Sequence, residues 1–257
     1  MDESYAHPES LVSTEWVAKN LNDPKVRIVE VDYDAASNYD QGHIPGAVVF
    51  DWKKDMNDPV NRDILSKDQL EALFGRSGIA GDTTVILYGD FNNWFAAYAF
   101  WDLKYYNVQN VKLMDGGRKK WLLEDRPLIK EVPVHAPSTF RVTGPDIKVR
   151  AYREDVRSVV ARKDKILVDV RGPKEFSGEI TAPPEYPNEQ SQRGGHIPGA
   201  KNIPWGRAIS QADHTFLGAN ELRSLYEGEA GLKPSARLPR RHKASSGRAK
   251  LLRPSRG

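Results

Sequence analysis

The strongest constraint on the fold of this chain is a repeated hexapeptide. Gly42-His43-Ile44-Pro45-Gly46-Ala47 recurs as Gly195-His196-Ile197-Pro198-Gly199-Ala200, and each copy is followed at the same distance by a tryptophan, Trp52 and Trp205. Self-similarity at a fixed offset, here 153 residues, marks duplication of a structural unit. Upstream of the two hexapeptides, Arg27-Ile28-Val29-Glu30-Val31-Asp32 aligns with Lys165-Ile166-Leu167-Val168-Asp169-Val170, both short β-branched runs of the kind that form buried parallel strands. Downstream, Asp68-Gln69-Leu70-Glu71-Ala72-Leu73-Phe74 aligns with Asn220-Glu221-Leu222-Arg223-Ser224-Leu225-Tyr226, with apolar residues at helical spacing.

The first copy continues through a strand at Thr83–Tyr88, the loop Gly89-Asp90-Phe91-Asn92-Asn93, a helix from about Trp94 to Tyr106, a strand at Val111–Met114 and the turn Asp115-Gly116-Gly117. Alternation of strands and helices predicts an α/β fold, with mostly parallel sheets flanked by helices. The reading divides the chain into a first domain at 10–125, a proline-rich linker at 126–148, a partial second domain at 149–232 and a basic tail at 233–257. An insertion near 177–193, carrying Pro183, Pro184 and Pro187, is expected to be a loop.

Hydrophobic residues make up 39% of the chain, enough to build cores, and no run of apolar residues is long enough to span a membrane. The first residues lack the basic and apolar regions of a signal peptide, so a cytoplasmic protein is expected. The six histidines lack ligand spacing and there is no cysteine, so no metal or organic cofactor is expected. Residues 232–257 hold nine basic residues and no acid, which leaves 29 basic against 35 acidic residues in the body, a net of −6. The tail has neither aromatic residues for base stacking nor helical periodicity, which argues against specific nucleic-acid recognition and for disorder.

Tyr39-x-x-x-His43-Ile44-Pro45-Gly46-Ala47-x-x-Phe50 resembles the first signature of the rhodaneses, and Asp115-Gly116-Gly117 with Trp121 is similar to the element that closes each rhodanese domain. The resemblance covers about residues 10 to 232. It implies two tandem rhodanese-like domains, the second incomplete, and a thiosulfate sulfurtransferase in the intact form. In such an enzyme a cysteine of the second domain takes sulfane sulfur from thiosulfate and passes it to cyanide or another thiophilic acceptor. A loop starting at Gly89-Asp90 is in keeping with the non-catalytic first domain of the family.

The nucleophile's position projects onto Leu238–Lys243, where the sequence is Leu-Pro-Arg-Arg-His-Lys, with neither a strand run nor a cysteine. A thiolate is required to hold sulfane sulfur, so no catalytic residue is assigned and the chain as written is expected to be inactive. The abrupt end of the repeat and the Arg/Pro/Ala/Ser/Gly composition beyond it suggest a truncated or frameshifted C-terminus. The resemblance leaves Asp169, Arg171 and Arg193 as substrate-binding candidates, with an Asp169–Arg171 ion pair fixing the strand end as the alternative role. His43 and His196, present identically in both copies, are read as orienting their turns. The alternative function is a non-catalytic, anion-binding or regulatory protein on the same scaffold.

Overall fold

The computed structural model describes residues 5–58, 60, 63–184 and 191–233. Segment 234–257, including the projected Leu238–Lys243 position and the expected disorder of the tail, lies outside the described residues, as does 185–190 within the expected insertion loop.

The first unit contains β1 (Leu11–Val12), α1 (Thr14–Lys19), β2 (Val26–Asp32), β3 (Val48–Asp51), α2 (Trp52–Asp55), α3 (Lys67–Arg76), β4 (Thr84–Tyr88), α4 (Asp90–Tyr105), β5 (Val111–Met114) and α5 (Gly117–Leu123). Its five strands lie in the order β1-β5-β4-β2-β3, and every pairing is parallel. Successive strand residues face opposite sides of a sheet, so the unbroken apolar runs of β2 and β4 need cover on both faces.

Val29, Val31, Val85 and Leu87 pack on one face with Leu70, Leu73 and Phe74 of α3 and Phe95, Ala96, Ala99 and Leu103 of α4. Val26, Ile28 and Ile86 pack on the other with Val17 of α1 and Trp121 of α5. Trp121 is fully buried, and its indole N–H donates to the Pro127 carbonyl at 2.9 Å. Side chains buried to this degree contribute roughly 1.5–3 kcal/mol each. The start of α3 is fixed by a capping box, in which the Gln69 N–H donates to Ser66 Oγ at 3.3 Å and the Ser66 N–H donates to Gln69 Oε1 at 2.8 Å.

The connector beyond α5 is irregular, as its prolines require, but it is bound to the first unit. Ile129 exchanges backbone hydrogen bonds with His43 at 2.8 and 2.9 Å, and Phe140 stacks on Phe74 with ring centroids 4.9 Å apart.

The second unit contains α6 (Arg153–Arg162), β6 (Val168–Asp169), α7 (Pro173–Ser177), β7 (Lys201–Asn202) and α8 (Ala219–Arg223), the last running into a π-helical segment at Ser224–Glu229. Among the described residues β6 pairs only with β7, whereas β2 is flanked by both β3 and β4. The small core of this unit comprises Ile203, Ala208, Leu225 and Ala230, while Ile166, Val170 and Ile197 stay exposed. Among the described residues no helix is long and apolar enough to cross a membrane.

The sheet register corrects the alignment of the two units. Val29 pairs with Val48 and Val168 pairs with Lys201, and the hexapeptide offset carries Val48 onto Lys201. The counterpart of Val29 is therefore Val168, one residue away from the match of the apolar runs. Glu30 corresponds to Asp169 and Asp32 to Arg171. Apolar runs slide past one another without penalty in a sequence comparison, whereas a one-residue slip in a sheet reverses every side chain.

Asp102 of α4 is fully buried and neither carboxylate oxygen has a hydrogen-bond partner. Burial pushes its pKa up to about 7, against the attraction of Arg150. A carboxyl whose pKa is higher in the folded chain than in the unfolded one binds its proton more tightly when folded, so stability falls as pH rises from about 4 to about 7. Asp102→Asn is expected to flatten the fall in Tm between pH 5 and pH 8, measured by thermal unfolding across that range. An unchanged slope contradicts the assignment.

Candidate functional site

The chain leaves β2 for β3 on one side and later places β4 on the other. The gap between the carboxyl ends of β2 and β4 is thus a topological switch point, where open parallel sheets bind their ligands. The period of two along β2 puts Glu30 and Asp32 on one face at this edge, and both are fully buried. Such acids require compensation.

For Glu30 it comes from Arg118, whose Nη1 lies 2.6 Å from Glu30 Oε1, and from the Tyr88 hydroxyl, which donates a short hydrogen bond to Glu30 Oε2. The Tyr88 oxygen in turn accepts the Ile44 N–H at 3.1 Å. Arg118 Nη2 donates to the carbonyl of Asn38 at 3.2 Å and, in a short bond, to that of Gly42. One guanidinium therefore ties β2 and α5 to the turn that opens the hexapeptide. The Glu30 pKa is nevertheless raised, because burial outweighs Arg118 and the Tyr88 hydrogen bond.

Asp32 has no comparable partner. Neither oxygen makes a hydrogen bond; burial, then the charges of Glu30 and Asp90, raise its pKa, while Arg118 and the nearby Tyr39 backbone oppose the rise. Asp90, at the first position after β4, is also shifted upward by burial, with Arg118 Nε 3.8 Å from its Oδ1.

The loop carrying Asp90 is strained. Phe91, Asn92 and Asn93 all have left-handed backbones, with φ of 51°, 55° and 63°. Each such residue costs on the order of 1–3 kcal/mol unless its surroundings hold it. Here Asn93 holds it: its Oδ1 accepts the Gly89 N–H at 3.1 Å and its Nδ2 donates to the Met114 carbonyl at 2.7 Å. Two glycines make the loop possible. A Cβ at Gly89 would lie 2.4 Å from the Val31 carbonyl oxygen, and one at Gly117 would lie 2.4 Å from Asn93 Oδ1. At the rim, the Trp94 ring lies 5.3 Å from that of Trp205 in the second unit.

Of the three residues singled out in the second unit, two come together. Asp169 and Arg171 form a two-pronged pair, with Nη2 2.6 Å from Oδ2 and Nε 3.0 Å from Oδ1. Arg171 Nη2 also donates to the Gly195 carbonyl at 2.8 Å. Arg193 is exposed, and its guanidinium joins neither of them among the described contacts. Since Asp169 is the counterpart of Glu30 and Gly195 that of Gly42, the Arg171 guanidinium repeats the tie made by Arg118 from a different place in the chain.

The histidines repeat as well. His43 Nδ1 is 3.1 Å from the Tyr39 carbonyl with the rings stacked at 3.7 Å, and His196 Nδ1 is 2.8 Å from the Phe176 carbonyl with the rings at 3.6 Å. Both orient their turns. Glu30, Asp32 and Arg118 were not singled out from sequence. The available signal was a pair of acids two apart in an otherwise apolar strand, and the arginine that answers it lies 88 residues from Glu30.

Comparison with known proteins places these features in a family. Residues 13–124 match the model of the rhodanese-like domain. The chain is 54% identical over 226 residues to the sulfur carrier protein TtuD of Thermus thermophilus, covering 87% of this chain and 79% of that one. It is 52% identical over 227 residues to a candidate thiosulfate sulfurtransferase of Mycolicibacterium smegmatis, covering 88% and 80%. The crystal structure of SseA from Escherichia coli, described as a 3-mercaptopyruvate sulfotransferase with the rhodanese fold, superposes with a TM-score of 0.74 at 24% identity, covering 87% of this chain and 84% of that one. With a parallel sheet of this order, a strained loop after β4 and relatives matched over most of their length, the chain belongs to the rhodanese family.

Proposed function

We propose that this chain is a thiosulfate sulfurtransferase scaffold, made of a first unit at 10–125, a connector at 126–148 and a partial second unit at 149–232, that does not itself carry sulfur. Relatives named for thiosulfate sulfurtransfer and for sulfur carrying support sulfur transfer as the family activity with thiosulfate as donor, and cyanide or another thiophile is the acceptor assigned in this reading. In that reaction a thiolate attacks thiosulfate, the sulfur–sulfur bond breaks, sulfite leaves and an enzyme persulfide forms. The acceptor then takes the outer sulfur and the thiolate returns.

The observation that carries the reading is the absence of any cysteine from the 257 residues. Asp90 stands at the head of the loop after β4, and a carboxylate cannot hold sulfane sulfur. The pure chain mixed with thiosulfate and cyanide is expected to form no thiocyanate above the uncatalysed background. Sustained turnover would refute the reading.

A non-catalytic anion-binding role is the second reading, favoured by one feature. Arg171 uses Nε and Nη2 on Asp169 and Gly195, and its side chain remains 34% exposed. Its pairing with Asp169 cancels most of the charge an anion would meet, so the structural tie is its main role. Arg171→Met is expected to destabilise the chain by about 1–2 kcal/mol in urea unfolding. Saturable binding of thiosulfate or sulfate, seen by calorimetry and lost in the same variant, would instead establish the anion site.

A further inference from the structure

The first unit keeps a ligand-binding edge that sulfur transfer does not use. Glu30 and Asp32 end β2 and Asp90 follows β4, and one carboxylate oxygen from each lies within 4.8 Å of the others. Only the spacing of Glu30 and Asp32 is local in the sequence; the topology of the sheet brings Asp90 to them at the switch point between β2 and β4. With all three ionised, Arg118 in contact and the more distant, exposed Lys119 beside Asp90 leave an excess of negative charge in a region closed to solvent except at Asp90.

Asp32 carries the argument further. It is fully buried, directed into the group, and both of its oxygens lack a hydrogen-bond partner. Asp90 Oδ2 is buried without a partner as well. An unmatched buried carboxylate is among the most costly groups to place in a protein interior, and unlike Asp102 of α4, Asp32 shares its site with two further acids. An arrangement of hard oxygen donors converging on one point, with an excess of negative charge, is complementary to a divalent cation.

We propose that Glu30, Asp32 and Asp90 hold a hard divalent cation such as calcium at the carboxyl edge of the first sheet. Three carboxylate oxygens within 4.8 Å of one another suit a hard cation, which calcium contacts at about 2.4 Å and magnesium at about 2.1 Å. The all-oxygen donor set disfavours zinc and copper, which take nitrogen and sulfur ligands. The partly exposed Asp90 supplies the side from which the ion enters. Once bound, the cation neutralises the excess charge and fixes the strained loop against β2.

The test uses the full chain after dialysis against EDTA. Calcium is added while Tm is followed, and terbium serves as a luminescent substitute, excited through Tyr88, which touches Glu30. The expected result is a calcium-dependent rise in Tm and sensitised terbium emission displaced by calcium. In Asp32→Asn, affinity should fall at least tenfold while the exposed-acid control Asp68→Asn binds as the wild type does. Should Asp32→Asn not fold, Asp90→Asn, which changes the entrance of the site, is expected to show the same loss. The proposal is overturned if the wild-type chain shows neither effect, as it would if protons alone neutralise the group. Equal binding by the wild type and by whichever of these two variants folds also overturns it.

Discussion

A guanidinium that joins a strand-end carboxylate to the carbonyl of the glycine opening the hexapeptide turn is the contact on which both units are organised. In the first unit Arg118 spans Glu30 and Gly42; in the second Arg171 spans Asp169 and Gly195. The two carboxylates occupy the same register position of equivalent strands, yet the arginines come from different elements, one from the start of α5 and one from two residues past the strand. The interaction itself is thus common to the two units, whatever part of the chain supplies the charge. Without it the edge between β2 and β4 would bring the buried Glu30 and Asp32 and the partly exposed Asp90 together with no guanidinium among them, at a cost in free energy of burial.

The second unit shows what the same tie achieves with less around it. Its strand β6 has one neighbour among the described residues, and its buried core is confined to a few side chains, with Ile166 and Val170 exposed. In the first unit the equivalent strand is enclosed by β3, β4 and helices on both faces. Hydrophobic stabilisation scales with apolar area removed from water, so among the described residues the first unit holds most of the buried core. Contacts such as Trp94 with Trp205 and Lys120 with Asp213 at 3.1 Å attach the second unit to the first.

The α/β alternation, the strand at Val111–Met114, the helix over Asp68–Phe74 and the turn-orienting histidines were legible in the sequence, because each rests on local periodicity or on the repeat itself. The register of β6 was not, since apolar runs can be aligned one residue out while a sheet cannot. Asp169 and Arg171 were legible as a pair because they lie two residues apart, but their equivalence to Glu30 and Arg118 depended on that register. The acidic group at the first edge was hidden for a different reason: Asp90 and Arg118 meet Glu30 and Asp32 only through the topology. The left-handed run at Phe91–Asn93 had no sequence signal either, because its conformation is imposed by Asn93, Gly89 and Gly117 together.

The measurement that bears most directly on the organising role of the guanidinium tie is a double-mutant cycle on Glu30 and Arg118, by urea unfolding in the presence of EDTA. Breaking a buried pair from one side costs about 3–5 kcal/mol, because the other charge is left uncompensated. Arg118→Met and Glu30→Gln are each expected to destabilise the chain. The double variant should be more stable than the sum of the two predicts, with a coupling of about 2 kcal/mol or more. Additivity of the two losses within about 0.5 kcal/mol would mean that the pair does not act as a unit and that the strand end is held by something else.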